Sequence, residues 1–463
     1  MGTTADDLSD VLARLVAAVG AANVITDPDT MAGYLTDWMG CFTGVADAVV
    51  RPANTDEVAA VVVACAAAGV RICVQGGNTG LVGGSVPPVT PTPPGLIVLS
   101  TVRMSEIDEV DILGECVGAQ AGATIAAIET RAAAHGLSFP VDLASRESAT
   151  AGGVVATNAG GIRVIRNGPT RRQVLGIEAV LADGQILRRW SALLKDNVGY
   201  DIPGLLTGSE GTLAVITRVL FRLVAPSAQT VVTVVAVDQI PAALGVITAV
   251  RQAGLTIEAA EFMTEAGVEL VHRHGRRRPV STPAPYYLLV ECSGGPDTEA
   301  AVVEVLERGE SIIDAVLEPG PARALWEVRE SHTESIARDT TTPVVKLDVS
   351  VPIRELARTI AELEALPALF DQPIRPILFG HLGDGNVHVN LLDVPEEMVG
   401  EVTDAVFAIV AARGGSISAE HGIGRAKVAW THLGRDAADR AAMRAIKDAL
   451  DPDGLLNPGV LFG

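Results

Sequence analysis

Apolar residues at helical spacing open the chain, and alternating apolar residues dominate much of the remaining sequence. Residues 5–19 repeat apolar positions at the spacing of one helix face, which predicts an amphipathic helix. A second helix is predicted to begin near Thr55 and to be followed by a strand over Val70–Val74. The segment 86–95 contains five prolines and must form a loop, after which LIVLS resumes strand character. The chain therefore starts in β-α-β order.

Short Val, Ile and Leu runs alternate with glycine-rich turns up to about residue 224. The runs IEAVLA, GQILRR and LAVITRVLFRL predict strands, and Ala182-Asp183-Gly184 supplies a hairpin turn between the first two. This part of the chain is predicted to be an α+β unit.

The pattern changes at residues 225–229, which predicts a domain boundary. VVTVVAVD, PAALGVITAVRQAG and APYYLLVECSG are typical of a strand, a helix and a strand, and helical spacing covers 297–312 and 321–338. We expect a first domain over 1–225 and a second α+β domain over 226–463, with roughly the last 30–40 residues packing back on the first.

Length and charge exclude several classes of protein. With 463 residues the chain is too long for one ordinary core. The 35 basic and 56 acidic residues give a net charge of −21, which repels nucleic acid and anionic membranes. No apolar run is long enough to span a bilayer, and no secretory signal is recognisable. We expect a soluble cytoplasmic protein, with peripheral membrane contact for electron delivery left open.

The five cysteines carry no metal or disulfide pattern. Their spacing never forms C-x-x-C, and their number is odd. We expect reduced residues in the core. The five are Cys41, Cys65, Cys73, Cys116 and Cys292.

The segment VQGGNTGLVGGS, residues 74–85, is a strand followed by a loop with five glycines. Glycines bring backbone N–H groups close to a phosphate, where successive amides can form an anion-binding nest. A proline-rich stretch follows instead of a helix, so a Rossmann-type nucleotide site is disfavoured. An ordinary flexible turn is the alternative interpretation.

Two more glycine-rich passages follow, over 142–168 and 205–217. Small residues at such density let a flat ligand lie against main chain. Three such loops in one domain favour a single large cofactor, although any one of them could contain packing glycines.

Histidines in the second half give the sharpest chemical pattern. The composition of Gly383–Asn386 predicts a tight turn that folds His381 back towards His388, and His388 shares a strand face with Asn390. About thirty residues on, ISAEHGIG supplies Glu420 and His421. Two histidines and a carboxylate form a known zinc ligand set, and a further histidine can act as a base. Separate, hydrogen-bonded histidines are the alternative.

A cationic constellation lies between residues 325 and 352. On a helix, Arg329 and Thr333 are four residues apart and share a face, while Lys346 lies in a following strand. Two cations and a hydroxyl suit a carboxylate ligand in an acidic protein. A solvated helix face is the alternative interpretation.

Taken together, these motifs resemble the FAD-dependent D-2-hydroxy-acid dehydrogenases of the vanillyl-alcohol-oxidase-type fold, and most closely the D-2-hydroxyglutarate branch. The resemblance runs from about residue 30 to the end. The matching segments, in order, are QGGNTGLVGGSVP, GGVVATNAGG, KDNVGYD, GSEGTL, EFM, LWEVRE, GHLGDGNVH, SAEHGIG and LNP.

The resemblance implies that loops over 75–85, 150–161 and 205–213 bind FAD. Asn78 stands where covalently flavinylated relatives carry a histidine, which implies non-covalent FAD. The implied FAD-binding residues are Gly76, Gly77, Asn78, Thr79, Gly80, Gly83, Gly84, Ser85, Pro140, Asp142, Gly152, Gly153, Thr157, Asn158, Gly160, Gly161, Glu210, Gly211 and Asn457.

The resemblance also implies the roles of the polar residues in the second half. A divalent metal, Zn²⁺ first with Mn²⁺ or Fe²⁺ as alternatives, would be bound by His381, His388 and Glu420. His421 would act as base and contact substrate. The remaining substrate contacts would be Arg329, Thr333, Lys346 and Asn390.

The implied reaction is oxidation of a small D-2-hydroxy acid, with a dicarboxylate as the leading substrate and electrons passed to an electron-transfer flavoprotein or a quinone. D-lactate or D-malate remain alternative substrates. A non-catalytic flavin-binding subunit of a glycolate-oxidase-like complex and a flavin-free zinc hydrolase are alternative functions. A homodimer is left open.

Overall fold

The computed structural model describes residues 5–193, 195–227, 229–309, 311–340 and 342–462. For residues 5–7 the description covers the backbone alone. The described chain divides into two compact units. Unit 1 comprises residues 1–161, 168–226 and 420–463, and unit 2 comprises residues 162–167 and 227–419.

Strands and helices are numbered separately in chain order. The strands are β1 Val24–Ile25, β2 Ala48–Val50, β3 Arg71–Gln75, β4 Leu96–Ser100, β5 Cys116–Gln120, β6 Val174–Val180, β7 Ile186–Arg189, β8 Val215–Arg222, β9 Thr230–Val237, β10 Thr256–Thr264, β11 Tyr286–Ser293, β12 Ile312–Pro319, β13 Val345–Ser350, β14 Arg375–His381 and β15 Asn386–Leu392. The helices are α1 Ala5–Val19, α2 Pro28–Leu35, α3 Thr55–Ala68, α4 Ile125–Ala133, α5 Ala151–Thr157, α6 Val164–Asn167, α7 Ile202–Leu206, α8 Ile240–Gln252, α9 Glu265–Arg273, α10 Thr298–Glu307, α11 Arg323–Glu330, α12 His332–Arg338, α13 Leu356–Ala365, α14 Val399–Ala412, α15 Thr431–Gly434 and α16 Ala437–Leu450.

Unit 1 contains two four-stranded sheets. The first has the order β1-β2-β4-β3, in which β2, β4 and β3 are parallel, and the second is the antiparallel sheet β5-β8-β6-β7. Helix α3 packs against both, because its Val58 and Val62 share one buried cluster with Ile97 of β4 and Val215 of β8. The C-terminal segment joins this unit through a bridge between Ile72 and Leu456.

Unit 2 is built on one antiparallel sheet of seven strands in the order β12-β9-β11-β10-β14-β15-β13. Helices α9, α11 and α12 supply buried residues such as Val268, Trp326 and Ile336 to the cluster against this sheet. The sheet runs antiparallel throughout, so residues directly opposite one another share a face. This register positions the polar residues of the candidate site in this unit.

Most of the secondary structure predicted from periodicity is confirmed. Helix α1 covers the predicted 5–19, α3 begins at Thr55, and the prolines of 86–95 lie in a loop before β4. Asp183 and Gly184 form the turn between β6 and β7, with Gly184 at φ 85°.

Three predicted segments need correction. The predicted helix over 297–312 ends at Glu307, and β12 follows it. The predicted helix over 321–338 is two helices, because α11 ends before Ser331. The sequence pattern after residue 229 predicts a strand, a helix and a strand, and this order omits β10. All residues of β10 after Thr256 are buried, so the strand lacks the alternation of apolar and polar residues that would reveal it. Of the five free cysteines, Cys41 is exposed and not part of the core.

Candidate functional site

The backbone N–H groups of the first glycine-rich loop, residues 76–85, are available to bind a ligand. Among the described residues, none of the backbone N–H groups over 76–85 donates a hydrogen bond to another protein group. The loop is partly exposed around Gly76–Leu81. A run of unpaired amides in a glycine loop is the donor set that binds a phosphate or pyrophosphate.

The carbonyl groups of the same loop are held from the other side. Arg425 donates from Nη1 to the carbonyl oxygen of Gly83 at 2.6 Å and to that of Val86. The backbone N–H groups of Arg425 and Ala426 both donate to the carbonyl oxygen of Val82. The C-terminal segment holds the Val82 and Gly83 carbonyls, and the N–H groups on the opposite edge of these two peptide units, those of Gly83 and Gly84, remain unpaired among the described residues.

Two glycines of this loop allow close approach of main chain. A Cβ on Gly77 would lie 1.8 Å from the carbonyl oxygen of Ser148, and one on Gly76 would lie 2.4 Å from Thr150 Oγ1. Larger residues at either position would displace the loop. The residues present therefore fit a cofactor with a pyrophosphate.

Asn78 has a structural role in the loop. Its φ is +53°, its Nδ2 donates to the carbonyl oxygen of Thr36 at 2.8 Å, and its Oδ1 accepts from Ser85 Oγ at 2.8 Å. Both ends of the carboxamide are thus used to fold the loop. Among the other predicted loop residues, Thr79 and Gly80 are partly exposed. A Cβ added to Gly84 would lie 3.5 Å from the Glu210 carboxylate.

The second glycine passage, predicted as a loop, contains a short helix. Gly152 and Gly153 lie in helix α5, whose N-cap Thr150 accepts from Gly153 N–H. A Cβ on Gly152 would lie 2.8 Å from Ala121 Cβ, so this glycine serves helix packing. The helix ends at Asn158 in the left-handed conformation, and Thr157 Oγ1 bonds back to the Gly153 carbonyl oxygen at 3.0 Å.

Residues around this helix are close to one another. A Cβ on Gly161 would lie 1.9 Å from the carbonyl oxygen of Asp142, and Gly160 is buried. Asp142 also forms an ion pair with Arg146 at 2.8 Å, and Pro140 is buried just before it. These predicted FAD residues are thus packed together in unit 1.

The third glycine passage is bound to α5 through its amides. Gly208 N–H and Glu210 N–H donate to carbonyl oxygens of Val155 and Ala156. Gly211, at φ 71°, has a virtual Cβ 2.6 Å from Asn457 Nδ2. In this third passage several amides are therefore already paired, whereas none of those over 76–85 is paired among the described residues.

Glu210 and Asn457 link this passage to the C-terminal segment. The Glu210 carboxylate accepts from Ile423 N–H at 2.8 Å and Gly424 N–H at 2.7 Å, and burial raises the pKa of Glu210 despite these bonds. Asn457 accepts from Val74 N–H at 2.7 Å and donates to the Glu210 carbonyl oxygen at 2.6 Å. Both residues act as scaffold for the loops.

One face of the unit 2 sheet carries two of the predicted metal ligands, His381 and His388, and two of the predicted substrate residues, Lys346 and Asn390. Across neighbouring strands, Glu261 lies opposite His381, and Asp348 lies opposite His388. Lys346 lies opposite Asn390. This pair is two residues along both strands from Asp348 and His388 and therefore lies on the same face of the sheet. The turn between β14 and β15 folds His381 back as predicted, and the two histidine rings are 5.1 Å apart between centroids.

A buried carboxylate fixes the Nδ1 side of each histidine. His381 Nδ1 lies 2.7 Å from Glu261 Oε1, and His388 Nδ1 lies 3.4 Å from Asp348 Oδ1. Asn386 Nδ2 donates to the same Asp348 oxygen at 2.7 Å. A carboxylate on Nδ1 leaves Nε2 as the lone-pair donor, which is the arrangement found behind histidine ligands of metals.

The protonation states suit the same role. Complete burial raises the pKa of Glu261, but the nearby His381 and Arg329 outweigh it and hold the pKa below its ordinary value. Burial lowers the pKa of His388 to about 4, although the bond with Asp348 opposes this. Glu261 is therefore a carboxylate and His388 a neutral imidazole at neutral pH, as metal binding requires. The two predicted histidine ligands offer nitrogens within 4.8 Å of one another.

The third predicted ligand and the predicted base lie at the start of the last segment of unit 1. Ala419, the last residue of unit 2, donates from its N–H to the carbonyl oxygen of Asp348 at 3.3 Å. Glu420 and His421 follow it directly and are partly exposed. Gly422 and Gly424 have φ of 80° and 53°, a backbone conformation that glycine adopts without strain.

The predicted substrate residues separate into different environments. Arg329 is buried, lies 2.8 Å from Glu261 Oε2 through Nη2, and has its guanidinium 4.5 Å from the centroid of the Phe379 ring. Thr333 is exposed, because the chain turns at Ser331 between α11 and α12. The structure therefore does not place Arg329 and Thr333 in one environment.

Sequence reasoning did not identify Glu261, Asp348, Asn386, Arg425 or the buried His332 as parts of these sites. Glu261 and Asn386 do lie in recognised segments, EFM and GHLGDGNVH, and Arg425 directly follows SAEHGIG. The available signal for Glu261 and Asp348 is a carboxylate flanked on both sides by apolar strand residues, since such a group needs a partner when it is buried.

Two family models and several curated relatives match this chain. Residues 46–189 match the family model of an FAD binding domain, and residues 226–461 match that of FAD linked oxidases, C-terminal domain. D-2-hydroxyglutarate dehydrogenase of Xanthomonas citri pv. viticola is 37% identical over 96% of this chain and 95% of its own length. The mitochondrial enzyme of that name from Bos taurus is 36% identical over 98% of this chain and 82% of its own. A putative mitochondrial D-lactate dehydrogenase of Schizosaccharomyces pombe is 34% identical over 94% and 85%.

Solved structures share the fold at low sequence identity. The 4-ethylphenol oxidase from Gulosibacter chungangensis matches with a TM-score of 0.75 at 18% identity, over 100% of this chain and 98% of that one. The p-cresol methylhydroxylase matches with a TM-score of 0.76 at 15% identity, over 99% and 97%. These likenesses confirm the α+β, vanillyl-alcohol-oxidase-type FAD-binding fold predicted from the motifs. No helix of the described chain is both long and apolar enough to cross a membrane.

Proposed function

Because the chain belongs to the FAD-linked oxidases, within the family of FAD-dependent D-2-hydroxy-acid dehydrogenases, we propose that it oxidises D-2-hydroxyglutarate to 2-oxoglutarate with a divalent metal. One observation carries the proposal. A histidine pair backed by Glu261 and Asp348 lies on the same sheet face as Lys346 and Asn390. Metal-type ligands beside a cation and an amide suit a hydroxy acid with carboxylates.

FAD would lie on the loop over 76–85, whose amides would bind the pyrophosphate. Bound FAD supplies the acceptor for the hydride lost from the substrate Cα. We propose non-covalent binding, since the Asn78 carboxamide is not a nucleophile and both of its ends are already hydrogen-bonded. Acid precipitation should leave the yellow colour in the supernatant, and colour retained in the pellet would contradict this part.

A divalent metal, zinc first, would be held by His381, His388 and Glu420, with Mn²⁺ and Fe²⁺ as the alternatives. Bound there, it supplies a Lewis acid for the substrate hydroxyl. Glu261 and Asp348 keep the Nε2 atoms of the two histidines available. Glu420 adds the carboxylate that completes a two-histidine, one-carboxylate set.

The remaining residues bind and deprotonate the substrate. His421 would take the hydroxyl proton as general base, a role suited to an imidazole at neutral pH. Arg329, Lys346 and Asn390 would bind carboxylate groups, with Thr333 as a further contact. Electrons would then pass to an external electron-transfer flavoprotein or quinone.

D-lactate and D-malate are the alternative substrates. The charge of Arg329 is already balanced by Glu261 at 2.8 Å, which leaves Lys346 as the cation of this face without an ion pair in the described chain. One such cation suits either a distal carboxylate or the single carboxylate of lactate. The similarity to a protein named putative D-lactate dehydrogenase supports D-lactate as the first alternative substrate.

A dye-reduction screen on the FAD-loaded protein tests the proposal. D-2-hydroxyglutarate, D-malate, D-lactate and glycolate should be compared at equal concentration, with D-2-hydroxyglutarate giving the highest kcat/KM. No reduction by any of them in a yellow protein would favour a flavin-binding subunit without catalysis. A colourless protein that hydrolyses ester substrates would favour the zinc hydrolase.

A further inference from the structure

Glu261 uses its two carboxylate oxygens for two different partners. Oε1 lies 2.7 Å from His381 Nδ1, and Oε2 lies 2.8 Å from Arg329 Nη2. The residue is fully buried in the middle of β10 between Ala260 and Phe262. A single carboxylate therefore joins a proposed metal ligand to a proposed substrate cation.

The charges of these groups depend on one another. A buried carboxylate without a cation is strongly disfavoured, and the same holds for a buried guanidinium. Glu261 and Arg329 satisfy this requirement mutually, and His381 adds a hydrogen bond to the ionised form. Any cation placed on the Nε2 side of His381 polarises its Nδ1–H and draws the charge of Glu261 towards that bond. Arg329 is then less compensated and becomes a better partner for an incoming carboxylate.

We propose that Glu261 is a positioning residue that couples metal binding at His381 to carboxylate binding at Arg329. The inference rests on the proposed function, because it requires that His381 binds a metal. By linkage, a carboxylate bound at Arg329 must raise the metal affinity by the same factor as the metal raises the carboxylate affinity. The coupling through Glu261 adds to any direct contact between metal and substrate.

The other buried carboxylate on this face has different contacts. Asp348 contacts the proposed metal ligand His388 and the side-chain amide of Asn386. Glu261 differs, because its second partner is a cation. Glu291 offers a matched control in the neighbouring strand β11. It is buried, at 5% exposure, and pairs with Arg163 at 3.0 Å in the same unit.

The test measures Zn²⁺ affinity in FAD-loaded protein by competition with a chromophoric chelator, with and without 2-oxoglutarate. In the parent, 2-oxoglutarate should tighten Zn²⁺ binding. In Glu261→Gln the Zn²⁺ affinity should fall by about 10- to 100-fold, as is typical for loss of a carboxylate behind a histidine ligand, and the effect of 2-oxoglutarate should shrink. Glu291→Gln should change neither quantity.

A double variant keeps the test interpretable if Glu261→Gln fails to fold. Glu261→Gln with Arg329→Met removes both buried charges, which is better tolerated than removing one. It should fold and retain FAD, yet bind Zn²⁺ more weakly than Arg329→Met alone. Equal Zn²⁺ affinity in these two variants, or in parent and Glu261→Gln, would overturn the role of Glu261. A parent that binds no Zn²⁺ and no other divalent metal would overturn the proposed metal site itself.

Discussion

Arg425 lies against the carbonyl side of the first glycine-rich loop and donates to the Gly83 carbonyl oxygen at 2.6 Å, while the N–H groups over 76–85 have no acceptor among the described residues. The side chain also donates to the carbonyl oxygens of Val86 and Pro458. Arg425 thus fixes the peptide planes of the loop and contributes a positive charge behind them. Both effects favour a bound pyrophosphate.

We therefore expect Arg425→Met to weaken FAD binding. Loss of several charge-assisted hydrogen bonds, each contributing roughly 1.5–3 kcal/mol, should lower FAD affinity at least about tenfold. The measurement is the fraction of flavin retained after dialysis, read from the absorbance ratio of flavin to protein. Arg435→Met is the control, since Arg435 is exposed and its side chain contacts Asp439 and the carbonyl oxygen of the neighbouring Gly434. Equal flavin retention in parent and Arg425→Met would contradict the role of Arg425.

Features of the fold and of the candidate site could be predicted where the signal lies in neighbouring residues of the sequence. Turn and strand periodicity are local, so α3, the 86–95 loop and the fold of His381 back towards His388 could be predicted. The partner of His381 could not, because Glu261 is distant in sequence and meets it only through the β10–β14 register.

Glycine density was ambiguous for a related reason. A glycine can be required by a ligand or by packing, and composition does not distinguish the two. Gly152 shows the packing case, since it allows α5 to approach Ala121, while Gly76 and Gly77 border the loop with unpaired amides. The exposure of Thr333 was also not predictable, because the turn at Ser331 has no glycine or proline to mark it.

His388→Ala should abolish turnover and leave FAD bound. The alanine removes one of the three proposed metal ligands, and this ligand belongs to unit 2, whereas the amide loop belongs to unit 1. Metal content by mass spectrometry, flavin absorbance and dye reduction should be measured on the same preparation. His272→Ala is the control, since His272 is an exposed histidine of the same unit. Normal turnover of His388→Ala with metal chelated away would show that no metal is needed.

His332 should destabilise the protein as the pH falls. It is completely buried, donates from Nδ1 to the Val328 carbonyl oxygen at 2.9 Å, and burial lowers its pKa to about 3. In the unfolded chain the ordinary value is about 6.5, so the unfolded state binds the proton first and stability falls from about pH 6.5 towards pH 3. Between pH 7 and pH 5 this group should cost about 2 kcal/mol.

The variant His332→Asn isolates this contribution, since asparagine can keep a donor near Val328 but does not titrate. Its urea midpoint should fall less between pH 7 and pH 5 than that of the parent, even if its stability at pH 7 is lower. His388 titrates in both proteins, so its contribution cancels in the comparison. Parallel midpoints at both pH values would show that His332 does not carry the acid sensitivity.

Lys346 and Arg329 should differ in how they affect substrate choice. Arg329 balances Glu261 at 2.8 Å, so its loss leaves a buried carboxylate unpaired beside His381. Lys346 stands opposite Asn390 on the same face and has no ion pair in the described chain. Its charge is thus available for a carboxylate that the metal does not neutralise.

We expect Lys346→Met to lower kcat/KM for D-2-hydroxyglutarate by about ten- to a hundredfold, the effect of one lost charge-assisted contact of roughly 1.5–3 kcal/mol. D-lactate has no distal carboxylate, so its kcat/KM should change much less. Arg329→Met should lower both values together, because it removes a proposed substrate cation and also leaves Glu261 unpaired beside His381. The exposed Arg354→Met serves as the control for a lost surface charge. If the parent already prefers D-lactate, or if Lys346→Met lowers both substrates equally, Lys346 binds the carboxylate common to both, and D-lactate becomes the better assignment.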